Sequence, residues 1–368
     1  MNQFKKQRRW LILATALIGI APGLAAAHSW HRKDANDTVY TMSNAAEGNE
    51  VLAFRQNDDG TLQPSGTFAT GGLGAGSGLG SQGALVSSGN LLFVVNAGSD
   101  DLSVFRRFGT QLHLIDRMPS GGIKPVSVTV DRNLVYVLNA GSDNIAGFVL
   151  QWNGKLRALP GSEQGLSDTG VGGAQIQFSQ DGRSLIVTEK ATNKVVTFAL
   201  NRRGIPENRT VTDSPGPTPF GFALAHRRLV LVSEAAGGAP GASTVSSYFI
   251  KHDGSLIVLD PAVATGSTAA CWVAVTPDGR YAYTTNTGSN SVSTLRVHGN
   301  GRLDLVTNTS SEGQGPIDMI FTEDGDYLHV LNAGTHNIAT FKVSSHGGLE
   351  PVGSAAGLPA ATNGLAAF

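Results

Sequence analysis

Two glutamates, Glu189 and Glu234, close short apolar strands at matching places in neighbouring repeats of this 368-residue chain. Paired carboxylates at a concave site can work as general acid and base, or hold a cation. The same place in five other repeats is taken by Asn44, Asn96, Asn139, Asn286 and Asn332. Asparagine there starts a turn by bonding nearby backbone, and it could equally bind a polar ligand. His336 lies in one of the loops that follow these positions, so it joins the glutamates as a catalytic candidate. His113, His226, His252, His298, His329 and His346 show no metal-ligand spacing. Cys271 is the single cysteine, so no intramolecular disulfide, haem-attachment motif or paired-cysteine metal site is expected. Neither a metal nor a cofactor is expected, and no nucleophile-elbow serine motif is present.

The elements that must position these residues repeat along the chain. Seven apolar strands end at the residues just named, reading VYTMSN, LFVVN, VYVLN, LIVTE, VLVSE, AYTTN and LHVLN. The anchors fall 43 to 52 residues apart, the period of four-stranded propeller blades. The third repeat shows the plan: strand a from Pro125, strand b ending at Asn139, strand c from Ile145 to Gln151, and strand d in LRALPG. β-Branched and aromatic residues fill the strands, and Gly, Asn and Asp fill the turns. Asp181-Gly182, Asp278-Gly279 and Asp324-Gly325 are hairpin signals. The first repeat lacks a strand a, and Thr362–Phe368 reads as the missing one. The expected fold is all-β: a seven-bladed β-propeller of four-stranded antiparallel blades, one domain over residues 38–368, its ring closed by the C-terminal strand. In that geometry the b-to-c and d-to-a loops share one face, so the seven anchors should ring one mouth of the channel. Gly71–Gly83 falls in the connection between blades 1 and 2 and is expected to be a flexible loop at the rim. A phosphate-cradling loop would need a helix after it, and a strand follows.

Lys5, Lys6, Arg8 and Arg9, an apolar run from Trp10 to Ala21, and Ala25-Ala26-Ala27 have the order of a secretory signal. Residues 1–27 are therefore expected to be a cleaved signal peptide, with an uncleaved anchor as the alternative, and residues 28–37 a tail. His28 would become the amino-terminal residue of a disordered tail, with copper binding by that histidine as the alternative. The destination is periplasmic or secreted. Cleavage leaves 23 basic against 28 acidic side chains. An acidic surface argues against nucleic acid as partner, and no membrane association is expected after cleavage.

Thr276–Val297, TPDGRYAYTTNTGSNSVSTLRV, is the clearest copy of the repeat. It resembles the lactonase-family seven-bladed propellers, which include propeller-type 6-phosphogluconolactonases and 3-carboxy-cis,cis-muconate lactonising enzymes. The resemblance runs from Thr38 to Phe368. It implies lactone hydrolysis, and it places the family's glutamate on Glu189. The family's arginine would fall near Ala174 and its histidine near Val126, so the catalytic Arg and His are not retained. The expected function is an exported lactonase-like hydrolase, with Glu189 as general base and Glu234 or His336 assisting. The alternative is a non-catalytic periplasmic binding or interaction propeller. The expected partner is a lactone or sugar-like small molecule, or a protein, at the channel mouth.

Overall fold

The computed structural model describes residues 38–368; the expected signal peptide and tail, with His28 and His31, lie outside these described residues. Seven antiparallel sheets succeed one another along the chain, each a hairpin meander whose first strand lines the channel. The inner strands are Asn363–Ala367, Leu85–Ser88, Pro125–Asp131, Gly173–Phe178, Pro219–Ala225, Ala270–Val275 and Pro316–Phe321, in blades 1 to 7. Each contacts the next, and the last contacts the first, so the ring is complete.

The second strands show why the blades stack. Leu91–Asn96, Ser184–Glu189, Leu229–Glu234 and Tyr327–Asn332 are buried at every residue. A strand pressed between two neighbouring blades is covered on both faces, so it reads as a continuous apolar run, without alternation. The outer strands, such as Gln111–Pro119, alternate towards solvent instead. Blade 3 departs from the expected plan. Its outer strand is split into Leu156–Ala158 and Gln164–Gly165. Pro160 between them has no N–H to donate, and Gly161 has φ 79°, so the ladder breaks there.

The C-terminal strand completes blade 1 as expected, pairing Val39 with Ala367 and Met42 with Asn363. Thr41 Oγ1 donates to the Gly364 carbonyl at 2.7 Å. The Phe368 ring stands edge-on to Tyr40 at 5.5 Å and lies under the Arg107 guanidinium at 4.4 Å. Gly364 has φ 75°, and a Cβ there would clash with Leu85, so glycine is required on both counts.

Adjacent inner strands share no sheet ladder, and side chains lace them together. Ile176 N–H donates to Ser127 Oγ at 3.1 Å, joining blades 3 and 4. Gln175 both accepts from Phe222 N–H at 2.6 Å and donates to its carbonyl at 2.9 Å, joining blades 4 and 5. Asp318 accepts Leu365 N–H at 3.0 Å, joining blade 7 to blade 1.

Candidate functional site

All seven anchor residues end up on the expected face, at the b-to-c corners, and all seven are fully buried. Most of them hold the crossover that leads into their own blade. Asn139 donates to the Ser120 carbonyl at 3.3 Å, and Asn332 to the Ser311 carbonyl at 3.0 Å. Glu189 instead accepts Ser167 N–H at 2.9 Å, together with the hydroxyls of Ser167 and Thr192. Glu234 accepts Gly216 N–H at 3.0 Å, along with the hydroxyls of Ser214, Thr244 and Ser246. The choice of residue follows from what the crossover presents. A carbonyl needs a donor, which asparagine supplies; N–H and O–H groups need an acceptor, which a carboxylate supplies better. Asn286 binds within its own blade, to Ser291 and Ser293, while Asn96 donates to Asp101 and Ser103 of its own blade and accepts Asn49 Nδ2 of blade 1 at 2.9 Å. Asn44 holds the connection beyond its blade, through Ser77 and Ala75. Gly216 and Gly313 lie directly over Glu234 and Asn332, where a Cβ would clash with the anchor. The anchors are thus sealed beneath the crossovers. His336 is half-buried in its loop with φ 54°, where its carbonyl accepts Leu358 N–H at 3.1 Å.

The mouth itself is occupied by the chain. The Gly-rich connection, expected to lie loose at the rim, crosses the channel. Leu79 N–H reaches Asn363 Oδ1 in blade 1 at 3.2 Å, and Ser81 Oγ donates to Val126 O in blade 3 at 2.8 Å. Gln82 N–H bonds the Ala174 carbonyl in blade 4 at 3.0 Å. The Gln82 side chain makes a two-way pair with Val273 in blade 6, donating at 2.8 Å and accepting at 3.1 Å. Trp272 Nε1 donates to the Ser81 carbonyl at 2.9 Å. A segment bonded to inner strands on opposite sides of a ring must span it.

Lys190, next to Glu189, places a cation at this mouth. It donates to the Gly80 carbonyl and lies 4.8 Å over the Phe220 ring. Burial brings its pKa down to about 8; nearby Cys271 opposes this and Lys124 adds to it. Burial pushes the Cys271 thiol up to about 11. Below Gln82 the channel opens into a chamber of about 440 Å³, lined by the later halves of all seven inner strands. Its walls are mostly aliphatic. Asp318 lines it, and burial pushes that carboxyl up to about 8 against the two backbone N–H groups it accepts. Among the described residues no group of three metal-type ligands converges, and no helix is long and apolar enough to cross a membrane.

Lys190, Gln82, Trp272 and Asp318 do not stand out in the sequence. The one signal was length: the connection between blades 1 and 2 is far longer than the other crossovers, and the excess is what reaches across.

A family model described as "Lactonase, 7-bladed beta-propeller" matches residues 30–165 and 242–363. A structure from Lactobacillus plantarum superposes with a TM-score of 0.76 at 17% identity, covering 90% of this chain and 99% of that one. A candidate 6-phosphogluconolactonase from Bacteroides uniformis follows at 0.74 and 19%, covering 89% and 99%. The periplasmic gluconolactonase of Pseudomonas aeruginosa superposes at 0.70 and 17%, covering 89% and 98%. An uncharacterized Staphylococcus aureus protein is 27% identical over 146 residues, which span 39% of this chain and 42% of that relative.

Proposed function

The chain belongs to the seven-bladed β-propeller lactonase family, and from that premise we propose that it is a binding propeller rather than a lactone hydrolase. One observation carries this reading: the channel mouth is filled by Leu79–Gln82, bonded to four blades. Lactone opening needs donors aimed at a developing oxyanion and a base aimed at water. Glu189 and Glu234 already accept hydrogen bonds on both oxygens, from their own crossovers and loops. Lys190 favours a second, hydrolytic reading. Its ammonium stands at the mouth and would face a lactone carbonyl if the segment carrying Gly80 moved aside.

The test is a panel of sugar lactones, with and without phosphate, and muconolactone-type substrates, given to the full chain and to Glu189→Gln and Lys190→Met. No turnover above the blank is expected. Turnover on any substrate overturns the binding reading, and its loss in either variant would put the chemistry at this mouth. Export to the periplasm is part of the same proposal, supported by the basic, apolar and small-residue order of residues 1–27. Amino-terminal sequencing of the periplasmic fraction checks it, with His28 as the expected first residue.

A further inference from the structure

On the opposite face, between blades 3 and 4, a cleft of about 1130 Å³ is walled by the a-to-b and c-to-d turns. Arg132, Arg183, Arg202 and Arg203 line it, with His252 at one side. The carboxylates in the lining are Asp131, Asp181 and Glu207. Each is already engaged. Asp131 pairs with Arg132 at 3.2 Å, and Asp181 pairs with Arg228 at 3.5 Å, behind the lining. Glu207 accepts from Asn201 Nδ2 at 3.0 Å. Among the described residues, Arg183, Arg202 and Arg203 form no ion pair, and all three are exposed. Four arginines against three carboxylates, with Arg228 added behind, make this lining net positive in a chain of formal charge −1.

The turns that carry these arginines are rigid. Arg183 N–H is held by Asp181 Oδ1 at 3.2 Å, and Arg203 N–H by Asn201 Oδ1 at 2.8 Å. Arg132 reaches from blade 3 to the Asp181 carbonyl at 3.3 Å. Gly182 fits so closely against Asp131 and Arg132 that a Cβ would clash with both, and Gly204 fits as closely against Leu134. Tyr136 Oη donates to the Gly204 carbonyl at 2.6 Å. The two blades' turns are therefore locked into one floor, with the exposed guanidinium forks of Arg183, Arg202 and Arg203 above it. Guanidinium forks match the planar or tetrahedral oxygens of carboxylate and phosphate, and a fixed scaffold lowers the cost of binding.

We propose that this cleft binds a multiply charged oxyanion through its phosphate or carboxylate groups, with Arg183, Arg202 and Arg203 as its recognition residues. The site is independent of what the upper mouth does, so the hydrolysis assay and the binding assay can fail separately.

Calorimetric titration of the full chain with inorganic pyrophosphate, trigalacturonate and, as neutral control, maltotriose tests it. At least one oxyanion should bind, more weakly at 0.3 M than at 0.05 M salt, and maltotriose should not. Pyrophosphate alone identifies a phosphorylated ligand, trigalacturonate alone a carboxylated one, and both together the shared chemistry. Arg183→Ala with Arg203→Ala should raise Kd at least tenfold with an unchanged melting midpoint, because neither side chain holds the fold. Arg296→Ala, an exposed arginine on blade 6, should leave Kd unchanged. Absence of binding by both oxyanions at 10 mM, or equal weakening by Arg296→Ala, overturns the proposal.

Discussion

Glu189→Ala and Glu189→Gln should separate a carboxylate that holds a crossover from one that performs chemistry. Glu189 accepts one backbone N–H and two hydroxyls, and it is fully buried. Alanine strands the Ser167 N–H, which cannot rotate to another acceptor. Hydrogen bonds to a charged group contribute about 1.5–3 kcal/mol each, and the two hydroxyls recover part of theirs elsewhere, so a loss of about 2–4 kcal/mol is expected. Glutamine keeps an oxygen for Ser167 N–H and turns its amide to the Thr192 hydroxyl oxygen, for a loss of about 1 kcal/mol. An unfolding entropy of ~2.1 cal/mol/K per residue over about 330 residues makes 1 kcal/mol worth roughly 1.4 °C. Scanning calorimetry should therefore find alanine lower by about 3–6 °C and glutamine lower by about 1–2 °C. An alanine midpoint within 1 °C of the parent would refute the holding role. Loss of a measured turnover in Glu189→Gln at unchanged midpoint would make the residue catalytic.

Deleting Ala361–Phe368 removes the inner strand of blade 1 and exposes the edge of Thr38–Met42; no soluble folded protein is expected, and a melting temperature equal to the parent's would disprove this. Asp318 is held near 8 by burial, well above its unfolded value, so the folded state binds the extra proton. Its stabilising contribution is full below about pH 4 and is lost as pH rises through 8. Asp318→Asn should flatten the fall in melting temperature between pH 5 and pH 9, and an equally steep fall in the variant would remove Asp318 as its source. Gln82→Ala breaks both bonds to Val273 and should lower stability by about 1–3 kcal/mol. The same change should raise acrylamide quenching of Trp272, which is buried against Ser81; unchanged stability and quenching would show that the segment does not depend on this tie.

The propeller was legible because its determinants are local and repeated. The apolar b strands, the Asp-Gly turns and the unpaired first repeat each sit within a few residues of one another. The face carrying the anchors was legible too, since chain direction in a blade fixes which loops share a side. Burial of Glu189 and Glu234 was not, because it depends on what a distant crossover presents. Ser167 is 22 residues before Glu189, and a serine N–H leaves no mark in sequence. The crossing of the channel by Ser81 and Gln82 rests largely on backbone groups of blades 3, 4 and 6, which any residue type would offer. The arginine cleft joins turns some 50 to 70 residues apart, Arg132 with Arg183 and Arg203, and only the stacking of two blades brings them together.

Ring closure sets a clock on biogenesis. The bond from Thr41 to Gly364 spans 323 positions, so the first blade leaves the ribosome without its innermost strand and stays incomplete until nearly the whole chain has been made. Six blades can stack one by one as they emerge, while the two ends of the arc keep unpaired edges facing solvent. That interval favours misassociation between nascent copies.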